Sequence, residues 1–294
     1  DLLSIKNGLN NEIGIDYSTL PQYAGMGYYE KESNATYPVI DIQLSLKVVT
    51  SYSVMDGIGG SYSVRNKYKG AKLHMNGKGF LGFSEIKTYN NRIGSEFIQK
   101  FVLEGGDKYI PTLDYEKLSI NAIPLIENSI PVNEKDYDYS LQDIGNNRFR
   151  LYMNHLNDYD KVKNIVTSYD YEQDDYGNLK KQIITYQGGI SEKVENTYEQ
   201  KGSWIPSTLK TSTKTITRGG ENFTRSLEYV NYNNGLPQQQ ITDIGLTTTY
   251  TYDKFGNLLS EIINGAEPRS SLYEYDLPKG RFLKKQTNAL GHVT

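Results

Sequence analysis

"TTYTYDKFGNLLSEIING", running from Thr248 to Gly265, decides how this chain is read. Thr and Tyr alternate up to Tyr252, and Leu258 to Ile263 resume a mixed apolar run. β-Branched and ring-bearing side chains suit a pleated, half-buried surface. Between the two runs stands Asp253-Lys-Phe-Gly-Asn257. Asp accepts nearby backbone N–H bonds and Gly takes a positive φ, so this is turn chemistry and the stretch predicts a β-hairpin. "YEYDLPKGRFLKKQTNALG", from Tyr273 to Gly291, repeats the phrase with one extra residue in the turn.

Weaker copies lie upstream. Gly177 in "DDYGNLKKQI", Gly202 in "EQKGSWIPSTLK" and Gly235 in "VNYNNGLPQQQI" join Gly256 and Gly280, at spacings of 25, 33, 21 and 24 residues. Each unit is one hairpin. A lone hairpin is marginal in water, whereas stacked hairpins share one sheet and one apolar face. Residues 166–294 are therefore predicted to be a repeat array, cut from a longer one, with a strand edge open to pairing. Residues 1–165 are predicted to be a β-rich meander continuous with it in one sheet.

Within that first part, "IDIQLSLKVVT" (Ile40–Thr50) alternates strictly, which predicts a single strand burying Ile40, Ile42, Leu44, Leu46 and Val48. Asp56-Gly57, Gly59-Gly60, Lys69-Gly70 and Asn76-Gly77 mark hairpin turns after it. In "GKGFLGF", Phe80, Leu81 and Phe83 are expected in the core, with Gly79 and Gly82 permitting tight turns. Pro111, Pro124 and Pro131 interrupt residues 105–135, which read as extended chain or proline-broken strands. No window shows helical apolar spacing, so helix should be scarce.

Composition narrows the function. The chain has 294 residues, a net charge of -3 with both signs interspersed, and no cysteine. No basic footprint for nucleic acid or an anionic membrane exists, and disulfides and thiolate metal sites are impossible. No apolar run approaches the roughly 20 residues of a membrane helix. The chain opens on Asp1-Leu2-Leu3 without a methionine, and the expectation is a piece of a longer polypeptide whose export signals lie elsewhere. Tyrosine dominates the aromatics, 26 against 8 Phe and 1 Trp.

Several residue patterns invite a chemical reading. Asp253, Phe255 and Asn257 offer a calcium-loop spacing with a wrong residue in the middle and Gly too early; Asp136, Asp138 and Asp143 fail similarly, with Leu141 at the sixth position. Asp174-Asp175 and Glu30/Glu32 resemble paired catalytic carboxylates, but pairs are expected by chance among 35 acids. His74, His155 and His292 are isolated, and a local hydrogen bond is expected at His292. No nucleophile elbow or phosphate loop appears. Trp204 and the tyrosines could stack on sugars, though cross-strand packing fits their repeat-bound positions better. No residue is assigned a catalytic, cofactor or metal role.

Tyr250, Tyr252, Asp253, Gly256, Asn257 and Leu258, then Tyr273, Tyr275, Asp276, Gly280, Arg281 and Phe282, resemble the YD repeat of bacterial RHS (rearrangement hot spot) proteins. "NALGHVT" (Asn288–Thr294) is similar to the phrase closing such a unit. "DLLSIKNGLNNEIGIDYSTL", "SVMDGIGGSYSVRNKYKGAKL" and "GKGFLGF" resemble the middle region of the toxin-complex B component and of SpvB-like proteins. The resemblance implies an all-β fold, with YD hairpins winding as a curved, spiralling sheet into a hollow shell around a toxin or effector segment. It implies a non-enzymatic structural fragment, secreted or at the bacterial cell surface, whose partner is the rest of its own polypeptide. The competing reading is an adhesin or carbohydrate-binding module that meets a host-surface glycan or protein.

Overall fold

The computed structural model describes residues 2–8, 11–120, 130–146, 148–199, 207–276 and 280–294. It is almost entirely strand, as the alternation demands. Twenty strands belong to one sheet and three to a second. Two units are distinguished, Asp1–Ser168 and Tyr169–Thr294.

In the first unit, β1 (Ser4–Lys6), β2 (Glu12–Thr19), the helix α1 (Leu20–Gly25), β3 (Tyr29–Glu30), β4 (Val39–Asp41), β5 (Lys47–Met55) and β6 (Ser61–Lys69) come first. They are followed by β7 (Lys72–His74), β8 (Gly79–Gly82), β9 (Glu85–Asn90), β10 (Ser95–Glu104), β11 (Ile110–Ile120), β12 (Ile130–Asp143) and β13 (Phe149–Asp160). The large sheet runs β1-β2-β5-β6-β9-β10-β11-β12-β13, every pair antiparallel. β3 adds a short parallel pairing to the end of β6. β4, β7 and β8 make the small sheet.

Here the structure corrects three expectations. Ile40–Thr50 is not one strand: β4 belongs to the small sheet and β5 to the large one. The chain changes sheets between them, turning tightly where the Leu46 N–H bonds the Leu44 carbonyl. Ile42 and Val48 are buried as the alternation predicts, but Ile40 and Leu44 are exposed at 37% and 56%. Periodicity identified the apolar positions and could not see the break, because each half alternates by itself. The hairpin series after β5 is also interrupted. Lys69-Gly70 carries the chain out of the large sheet to β7, the β7–β8 hairpin pairs with β4, and β6 pairs with β9 instead. In "GKGFLGF", Leu81 is buried and Phe83 packs on the core, but Phe80 is 44% exposed. Lys72 pairs with Gly82 and Leu73 with Phe80, so Leu81 is the extra residue of a bulge. Gly82 (φ +97°) supplies the conformation that the bulge needs inside a strand, not at a turn.

The only helix longer than a single 3-10 turn among the described residues is α1. Its start is set locally. Pro21 sits in the first turn, and the Gln22 side chain accepts bonds from the Thr19 N–H (3.3 Å) and hydroxyl (3.0 Å). Leu20, fully buried, anchors a core shared with Tyr23, Tyr29, Ile42, Val48, Tyr68 and Ala71. The three tyrosines can lie inside because each hydroxyl finds a carbonyl: Tyr23 at Thr50 and Asn66, Tyr29 at Ile42, and Tyr68 at Val49. Burial pushes all three hydroxyl pKa values up.

β14 (Ile165–Gln173) leads into the second unit. There follow β15 (Leu179–Tyr186), β16 (Ile190–Glu199), β17 (Thr208–Arg218), β18 (Glu221–Asn233), β19 (Leu236–Thr242), β20 (Thr247–Tyr252), β21 (Leu258–Asn264), β22 (Arg269–Tyr275) and β23 (Leu283–Thr287). From β15 to β23 each strand pairs antiparallel with the next. Among the described residues this unit buries no apolar side chain: Thr208, Thr248 and Ser260 are its buried residues. Its described apolar side chains are at most partly buried, and ladder hydrogen bonds and side-chain ties link neighbouring strands over them.

Candidate functional site: a recurring turn and its tyrosine ties

The opening phrase folds as predicted, and its turn has a defined geometry. The Asp253 N–H bonds the Asn257 carbonyl (2.9 Å), and the Gly256 N–H bonds the Asp253 carbonyl (3.1 Å). Asp253 Oδ1 accepts the N–H groups of Phe255 (2.8 Å) and Asn257 (2.9 Å), while Oδ2 accepts Asn257 Nδ2 (2.9 Å). Gly256 stands at φ +87°, where a β-carbon would be strained. This is a hairpin turn closed by a residue in the left-handed region.

The same closure recurs. At 174–178 the Asp174 Oδ1 accepts the N–H groups of Tyr176 (2.9 Å) and Asn178 (2.8 Å). At 288–292 Asn288 replaces Asp, accepting Leu290 (3.0 Å) and His292 (2.9 Å), which is the local bond expected at His292. At 56–60 the Asp56 Oδ1 accepts Ile58 (3.0 Å) and Gly60 (2.8 Å). At 242–246 a Thr242 hydroxyl accepts the Leu246 N–H (3.1 Å). The shared signal is an acceptor side chain, two free positions, and Gly: "DDYG" and "DKFG" show it, and so do "DGIG", "TDIG" and "NALG". Alignment on the Tyr-rich strands missed the last three as members of one class. Gly235 and Gly280 are also at positive φ; Gly202 lies outside the described residues.

The carboxylates are consumed by this work. At Asp253, partial desolvation pushes the pKa up, but the N–H bonds from Asn257, Phe255 and Gly256 outweigh it and hold the group below the usual carboxylate range. Asp174 behaves alike. Asp143 accepts the Gly145 N–H, Glu30 pairs with Lys69 (2.9 Å) and Glu32 with Lys72 (3.1 Å). Asp138 and His155 face each other across β12 and β13. His74 is buried and packs against the Tyr109 ring. Among the described residues no three His, Asp or Glu side chains converge on a position where one ion could sit.

Ties between hairpins come from the flanking residues. Asn257 Nδ2 reaches forward to the Gly280 carbonyl (2.8 Å), and Asn178 Nδ2 to Ser207 Oγ (2.7 Å). Tyrosine reaches backward. Tyr198 donates to the Leu179 carbonyl (2.8 Å), Tyr252 to that of Pro237 (2.9 Å), and Tyr232 to that of Leu209. Each acceptor is the first or second residue of its strand: Leu179 of β15, Pro237 of β19 and Leu209 of β17. Bulges fall beside Tyr198, Tyr252 and Tyr275, where Lys210, Leu259 and Lys284 are the unpaired residues. A bulge re-aims the side chain next to it, which accounts for Tyr198 and Tyr252 reaching the first residues of the neighbouring strand; Tyr232 makes the same reach without a bulge. Burial raises the Tyr232 hydroxyl to about 12, with Tyr229, Glu199 and Tyr252 adding to the rise. The repeat tyrosines are thus largely spent on their own sheet; Trp204, the other half of a sugar platform, lies outside the described residues.

Asn257→Ala removes the acceptor-to-acceptor bridge between Asp253 and Gly280. Two net bonds of about 0.5–1.5 kcal/mol each are lost. Hydrogen exchange should therefore speed up at Phe255, Gly256 and Gly280 together, while exchange at 174–178 stays unchanged.

No protein-family model matches the chain, and no curated protein matches it. Solved structures do match. A crystal structure of TcdB2-TccC3 superposes with a TM-score of 0.61 at 7% identity, over 96% of this chain and 23% of that one. The fold is that of part of TcdB2-TccC3. The TcdB2-TccC3-Cdc42 and TcdB2-TccC3-TEV crystal structures agree, with TM-scores of 0.56 and 0.55 at 8% identity and the same coverage. The chain spans about a quarter of the TcdB2-TccC3 chains, and at such identity the likeness concerns backbone path alone.

Proposed function

We propose that this chain is a non-enzymatic length of wall in an RHS/YD-repeat shell that encloses a toxin or effector segment outside the producing bacterium. The observation that carries the reading is the turn-and-tyrosine tie, repeated along a second unit that buries no apolar side chain among the described residues. Such a device extends a surface; it does not build a pocket. The TcdB2-TccC3 fold over nearly the whole chain supports the same reading. The partner is then the remainder of the same large polypeptide, in the manner of the toxin-complex B component and SpvB-like proteins.

Protease protection in the polypeptide that carries this stretch tests it. The enclosed segment should survive protease while the shell is intact and be digested once the shell is opened. Digestion at the same rate in both states sinks the proposal. So does glycan-array binding that vanishes on replacing Trp204, which would favour the adhesin reading.

A further inference from the structure

We propose that the first unit carries an oxyanion site, for a phosphate or sulfate group, in a cleft of about 170 Å3 on the β6–β9 surface. The starting point is a cross-strand pair that ought to be avoided. Lys67 on β6 and Lys87 on β9 stand directly opposite each other. Like charges in that position are destabilising. Arg65, two residues along β6 and so on the same face, adds a third cation and pairs in register with Tyr89.

The cations are not neutralised where they stand. Lys67 is half-buried, and neither it nor Arg65 makes a salt bridge to a carboxylate of the described residues. Arg65 Nη1 instead donates to the Tyr28 hydroxyl (2.6 Å). Both cations lie over the same ring, with the Arg65 guanidinium 4.9 Å and the Lys67 ammonium 5.3 Å from the Tyr28 centroid. Lys87 is shared with Glu85 at 3.4 Å, a residue outside the cleft. Glu96 is the one acid in the lining; with Glu85, three cations face two carboxylates, and Arg65 and Lys67 are the two that no salt bridge of the described residues offsets.

That excess suits an anion. Arg65 offers a fork that fits phosphate as well as carboxylate, and the ammonium groups arriving from two strands can reach the further oxygens that only a tetrahedral oxyanion has. The volume equals roughly six waters at about 30 Å3 each, room for a four-oxygen group. Tyr28 and Tyr89 as walls would accept an attached ring or chain. The proposal concerns the first unit alone and does not rest on the shell reading.

The test is calorimetric titration of the full chain with inorganic phosphate, at ionic strength held constant with chloride, alongside thermal unfolding. Saturable binding and a rise in Tm are expected. Lys67→Met should weaken phosphate binding about tenfold, the loss of one charge-assisted bond. It should also raise the Tm measured without phosphate, because it removes the opposed pair. Arg65→Gln should weaken binding without that gain, and serves if Lys67→Met fails to fold. Sugar phosphate binding tighter than inorganic phosphate identifies an organic ligand, and equal binding a free ion. The proposal is overturned if phosphate does no more than chloride, if acetate does as well, or if affinity survives in both variants.

Discussion

Lys72→Ala should destabilise the first unit by about 3–5 kcal/mol, because it strands buried carboxylates. The Lys72 ammonium lies 2.7 Å from Asp41 Oδ1 and 3.1 Å from Glu32 Oε2, and all three side chains are at most 16% exposed. Lys72 and Asp41 are register partners across β7 and β4, so the pair ties the small sheet together where the chain has just changed sheets. Asn34 Oδ1 also accepts from the ammonium (2.8 Å), and the Ala35 N–H donates to Asp41 Oδ2 (2.8 Å). At Asp41, burial pushes the pKa up, but the bonds from Lys72 and from the Ala35 and Asn34 backbone prevail, leaving it below the ordinary carboxylate value. A lowered folded pKa means stability that is present above the unfolded value of about 3.9 and lost as pH falls through the folded one. In Lys72→Ala the balance reverses. Burial then acts with less opposition, Asp41 takes up a proton more readily, and the deficit against wild type should shrink below about pH 4. Urea unfolding at neutral and acid pH measures both. A deficit that does not depend on pH would mean the ion pair is not its source. A triple variant, Glu32→Leu, Asp41→Leu and Lys72→Met, should recover much of the loss, since apolar replacement of a whole buried ionic group is often near neutral.

Leu20→Ala should cost about 2–5 kcal/mol, the range for emptying a well-packed core site. Leu20 has no exposed surface, and it opens α1 against Tyr23, Tyr29, Ile42, Val48, Tyr68 and Ala71. Its N–H bonds the Leu46 carbonyl (3.0 Å), so the cavity would sit where the helix meets the sheet-changing segment. The buried apolar residues of the described chain all fall between Leu20 and Leu81, so no second core takes up the slack. Leu272→Ala, at a side chain 48% exposed in the second unit, is the matched control and should change stability by about 0.5 kcal/mol or less. Denaturant midpoints decide between them. Equal losses would refute the assignment of the core to residues 20–81.

These two predictions concern the part of the chain that the sequence described least well, and the contrast is physical. The repeat array was legible because its rules are local. Thr/Tyr alternation dictates strands, and an acceptor side chain three residues before Gly dictates the turn. Both act within a handful of residues, so Asp253, Gly256 and Asn257 could be read correctly from the letters. The scarcity of helix followed likewise, and the one short helix escaped because six residues are too few for a 3.6-residue period to register.

What the sequence could not supply is anything fixed by register between distant strands. Ile40–Thr50 alternates perfectly, yet two different sheets claim its halves, a choice made by pairing with β7 on one side and β2 on the other. Tyr198, Tyr232 and Tyr252 could be named as packing residues, but their acceptors lie 15 to 23 residues back on the neighbouring strand, and two of the three sit beside bulges that spacing does not reveal. Lys67 and Lys87 are unremarkable twenty residues apart and become a like-charged pair only across β6 and β9. The sequence by itself determined strands, turns and their period, since steric and hydrogen-bonding preferences act on neighbours. Only the tertiary structure decided which strands meet, which tyrosine ties which hairpin and where charge gathers, because cross-strand contacts depend on register, and a one-residue shift moves every side chain to the other face.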